Sequence, residues 1–99
     1  MDGTREASLD FLADALERIL LSSSGDAQQI YRTLGAEQAS LHEDALDVLA
    51  NVSHFVADSD DRQRDEDYRA MQERTMRELV AALRRRASRD QLLTFSFLN

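Results

Sequence analysis

His42 and His54 are the residues of this chain best suited to metal or acid–base chemistry. Twelve positions along one helix set them about 18 Å apart, too far to share an ion. Glu43, Asp44 and Asp47 beside His42, and Asp58 one turn beyond His54, add carboxylates but no second nitrogen ligand. The paired Glu-x-x-His pattern of di-metal helical bundles is absent as well. A phosphoryl-accepting histidine needs a nearby cation for the transferred group, and Glu43-Asp44-Ala45-Leu46 after His42 supplies none. Nucleophilic chemistry has no better footing. Ser22, Ser23 and Ser24 fall in a helix-breaking run, no serine sits between glycines, and Gly3, Gly25 and Gly35 are too scattered to cradle a phosphate. With no cysteine there is no thiolate, no disulfide framework and no cysteine-ligated zinc. The expectation is a protein that is not an enzyme, with no catalytic residue, no metal and no cofactor.

The elements that would carry these residues follow from apolar spacing. Leu9, Leu12, Leu16, Ile19 and Leu20 recur at intervals of three and four, which predicts a first helix over residues 4–21. Ser22-Ser23-Ser24-Gly25 ends it, and Asp26 with Gln29 resembles a capping pair for a short second helix over 26–34. Leu41, Ala45, Val48, Val52 and Phe55, widened by Leu46, Leu49 and Val56, mark a third helix over 36–57, with Ser40 an alternative cap. Its broad apolar face suggests the centre of a bundle. A fourth helix is read over 59–88, opening in Asp58-Ser59-Asp60-Asp61, burying Tyr68, Met71, Met76, Leu79 and Leu83, and ending in Arg84-Arg85-Arg86. At that length it would run about 40 Å and project from the bundle. Leu92–Leu98 alternates in the manner of a strand. The expected fold is therefore all-α: one domain over 1–91, a bundle of three or four helices, with an extended apolar tail over 92–99.

Ninety-nine residues suffice for one domain. The longest apolar runs are far shorter than the roughly twenty residues of a membrane span, and the first six residues do not read as a secretory signal. A cytoplasmic protein is expected, in host cytosol if phage-encoded. The net charge of −7 is uneven. Residues 1–67 hold sixteen acids and five arginines, a balance of −11, and residues 68–99 hold three acids and seven arginines, a balance of +4. Acidic helix faces are commonly just solvated. They can also imitate a phosphate array and cover a basic protein surface.

The leading expectation is thus a stoichiometric protein-binding module, an inhibitor, regulator or adaptor, that forms a homodimer and meets a partner with a basic surface. A phage-borne inhibitor of a host defence complex would have this size and charge. Asp58, Asp60, Asp61, Asp65, Glu66 and Asp67 are the candidates for charge recognition, and Phe95 and Phe97 for docking. The alternatives are a nucleic-acid-binding regulator using Arg84, Arg85, Arg86 and Arg89, which the negative net charge opposes, and a self-assembling helical subunit.

Overall fold

The apolar stripes close into an all-α bundle. The computed structural model describes residues 2–21, 24–36, 41–57 and 59–95. Among them run six helices and no strand: α1 (Asp2–Leu21), α2 (Ser24–Ala36), α3 (Glu43–Ala57), α4 (Ser59–Arg64), α5 (Glu66–Arg84) and α6 (Arg89–Leu92). The radius of gyration is 12.9 Å, close to the roughly 13 Å of a well-packed domain of this length.

The centre of the bundle is α1 rather than the third helix. It packs most extensively on α5 and also on α2 and α3. Leu9, Leu12, Ala13, Ala15 and Leu16 are wholly buried, and the two alanines let neighbouring helices approach closely. Val48, Leu49, Val52 and Phe55 face them from α3, and Met76, Leu79, Ala82 and Leu83 from α5. α2 extends two residues past each expected end and contributes Ala27 and Leu34.

The third helix starts later than its stripe suggested. Leu41 and His42 are not helical, and α3 begins at Glu43. Ser40, the alternative cap, lies outside the described residues. His42 caps α3 instead: its Nδ1 accepts the N–H of Asp44 at 3.1 Å, and its carbonyl accepts that of Leu46 at 3.1 Å. The His42 N–H in turn donates to Ser8 Oγ on α1 at 2.9 Å.

The expected long fourth helix is two pieces, α4 and α5, and it ends at Arg84 rather than at residue 88. Asp65 is extended, at φ −130° and ψ 107°, and its carboxylate accepts the N–H of Tyr68 at 3.1 Å. This N-cap starts α5 afresh, so no single helix runs over 59–88. Asp65→Ala should cost about 1 kcal/mol in a urea titration, and Asp65→Asn, which keeps the acceptor, should cost much less. On α5 the inward residue is Gln72, wholly buried, while Met71 is 40 % exposed.

The other end of α5 closes without glycine. Arg86 takes φ 56°, the N–H of Ala87 donates to Ala82 O at 3.0 Å, and that of Arg86 to Leu83 O at 3.0 Å. This is the paired bonding of a Schellman motif. The left-handed backbone disfavours a residue with a Cβ, and Arg86 is tethered there by Asp10 at 3.1 Å and Glu6 at 3.6 Å.

The tail begins as helix, not strand. Ser88 caps α6, accepting the Gln91 N–H at 3.3 Å, and Leu93 and Thr94 form a turn. Leu92 is buried, and Leu93 and Phe95 pack against the core. Residues 96–99, including Phe97, lie outside the described residues.

Candidate partner-binding surface

Of the acidic candidates, Asp65, Glu66 and Asp67 stand at the joint between α4 and α5. Arg62 fastens that joint from within. Its guanidinium donates to the Phe55 carbonyl at the end of α3 and to Gln72 Oε1 at 2.7 Å, and lies 3.7 Å from the Phe55 ring centroid. Gln72 Nε2 then donates to Tyr68 Oη at 2.8 Å. A buried amide thus holds the six-residue α4, too short to be stable alone, against α3 and α5.

This scaffold sets Asp65, Glu66 and Asp67 in the solvent. Asp65 is committed to the cap. Glu66 and Asp67, in the first turn of α5, have no ion pair among the described residues, and negative charge suits that end of the helix. Asp60 and Asp61 lie on α4, whose exposed Arg64 makes the surface mixed rather than uniformly negative. Asp58 lies outside the described residues.

Glu6, Asp10, Asp14 and Glu17 of α1 and Asp44 and Asp47 of α3 are in a different state: Arg84, Arg86 and Arg89 occupy them. Arg84 bonds Asp14 at 2.9 Å and Glu17 at 2.8 Å, and Arg86 reaches Asp10 and Glu6. Arg89 bonds Asp47 at 2.6 Å and approaches Asp44 at 3.5 Å. The hydrogen bonds to Glu17 and then Asp14 raise the Arg84 pKa further above its ordinary range. Of the four arginines named as a nucleic-acid site, three therefore point at carboxylates of their own chain, and only Arg85 makes no ion pair among the described residues.

Asp44 is the node where three elements meet. Its Oδ2 accepts from Arg5 Nε at 2.8 Å, and Arg5 Nη2 donates to Ala87 O at 2.9 Å, joining α1, α3 and the end of α5. The Arg5 hydrogen bond is the chief reason its carboxyl titrates below the ordinary 3.8, with burial opposing and the charges of Arg5, His42 and Arg89 assisting. His42 is spent on capping, and no three His, Asp or Glu side chains converge as metal ligands among the described residues.

The structure packs Phe95, past α6, against the core of its own bundle. It also shows what the stripes did not: an open groove of about 410 Å³ between α1 and α5, with Leu20, Val80 and Ala81 as apolar lining and Glu17, Arg77 and Arg84 around it. No helix among the described residues is long and apolar enough to cross a membrane. Comparison with protein-family models, with curated proteins and with solved structures returns no match.

Proposed function

We propose that this chain is a non-enzymatic, stoichiometric protein-binding module, an inhibitor, regulator or adaptor, which works in the cytosol as a homodimer and presents the α4–α5 joint to a basic partner. The apportioning of its charges carries the reading. Glu6, Asp10, Asp14 and Glu17 on α1 and Asp44 and Asp47 on α3 are matched by Arg84, Arg86 and Arg89, whereas Glu66 and Asp67 remain in solvent without an ion pair among the described residues. Charges left without a partner of their own chain are the freest to steer and orient an encounter. The same pairing weighs against nucleic-acid binding through the arginines, because phosphates would have to displace bonded carboxylates.

The test reverses Asp60, Asp61, Glu66 and Asp67 to arginine and keeps Asp65 as the cap. Far-UV circular dichroism should be unchanged, and a protein captured by the wild type from host lysate should be lost, with affinity falling at least about 100-fold. Equal capture by both forms would remove the acidic joint from recognition.

A further inference from the structure

The outer face of α1 carries a pattern that the core does not need. Ala7, Phe11, Asp14, Arg18 and Leu21 are all exposed, and their spacing of four, three, four and three places them along one seam. Phe11, 40 % exposed, and Leu21, 86 % exposed, are two of the three large apolar side chains left in solvent among the described residues. Between them stand one acid and one base. A two-fold axis level with Leu16 matches position 11 with position 21 of a second copy, and position 14 with position 18. Apolar then meets apolar, and Asp14 meets Arg18, at both ends of the contact. A parallel arrangement would instead set Asp14 against Asp14 and Arg18 against Arg18, which like-charge repulsion disfavours. Arg18 has no ion pair within the chain among the described residues, and Asp14, bonded to Arg84 through one oxygen, stays largely exposed.

We propose that a second copy of this chain covers this face, with the two α1 helices antiparallel about that axis and Phe11 of the second copy against Leu21 at the mouth of the α1–α5 groove. Self-complementarity under a two-fold rotation is what an isologous interface requires, and it selects a second copy over a foreign helix. The inference rests on the homodimeric part of the reading above and uses none of its acidic joint. Two facing helices bury less than the ~1,200 Å² of a standard interface, so the dissociation constant falls in the micromolar range.

Sedimentation equilibrium of the full chain from about 5 µM to about 500 µM should show a reversible monomer–dimer exchange. Leu21→Glu and Arg18→Asp, both on the solvent side, should each weaken it at least about 10-fold with unchanged helicity. The double swap Asp14→Arg with Arg18→Asp gives up the Asp14–Arg84 bond but rebuilds the symmetric pair with its signs exchanged, so it should dimerise more tightly than Arg18→Asp alone. A wild-type monomer throughout, a dimer indifferent to Leu21→Glu and Arg18→Asp, or a folded double swap that stays monomeric would each overturn the proposal. If the double swap fails to fold, the two single variants decide. Loss of partner capture on reversing the α4–α5 acids, with the dimer intact, separates the two readings.

Discussion

Asp44→Ala should be the most damaging polar substitution in the chain, lowering unfolding free energy by about 2–4 kcal/mol at neutral pH. A fully buried pair broken on one side loses more, but Arg5 and Arg89 are partly in water and recover hydration. What they lose is the bond that ties the starts of α1 and α3 to the end of α5. The loss should depend on pH in a defined sense. A carboxyl whose pKa is lowered by folding stabilises the native state above its unfolded value and loses that contribution as pH falls through the folded one. The gap between wild type and Asp44→Ala in urea titrations should therefore be constant from neutral pH to about pH 5, and close below the ordinary 3.8. A gap that persists undiminished in acid would show that Asp44 acts through packing instead.

Gln72→Ala should cost about 2–4 kcal/mol, because a wholly buried side chain leaves a cavity and its two partners lose their bonds together. Gln72→Met separates the two contributions. It refills the space, while Arg62 and Tyr68, both partly exposed, turn to water. The methionine variant should recover about half of the loss. Its remaining deficit belongs to the hydrogen bonds that hold α4. In both variants trypsin should cut faster after Arg62 and Arg64, since α4 is secured chiefly through Arg62. Equal losses for alanine and methionine would assign the whole effect to the polar bonds.

The buried faces were readable because period-3.6 apolar spacing leaves few alternatives. Leu9, Leu12, Leu16 and Ile19, then Val48, Val52 and Phe55, then Met76, Leu79 and Leu83, are the core that the stripes named. The breaks were harder to read. Helical propensity runs nearly uninterrupted from Asp60 to Arg86, and the decision at Asp65 is made by one capping carboxylate among many acids. At Arg86 the usual glycine signal is missing, since an arginine tethered to Glu6 and Asp10 occupies the left-handed position. The tail did carry a signal: Ser88 and Gln91 stand at capping spacing, but the alternation of Leu93, Phe95 and Phe97 outweighed it. For the acidic candidates, sequence alone could not distinguish carboxylates bonded to Arg84, Arg86 and Arg89 from those left in water. That difference depends on contacts between residues at opposite ends of the chain. The α1 seam lay in the same sequence, on the face opposite the stripe that the core reading used.

The bonds that close this bundle span 70 positions from Asp14 to Arg84, 76 from Asp10 to Arg86 and 82 from Arg5 to Ala87. A ribosome releases α1 well before its clamps, with about 70 to 80 residues made between them. Throughout that interval the central helix has only α2 and α3 to lean on, its acid row faces water without counter-charges, and part of its apolar stripe is uncovered. The nascent chain is thus held open by its own connectivity until Arg84, Arg86 and Ala87 emerge to latch it.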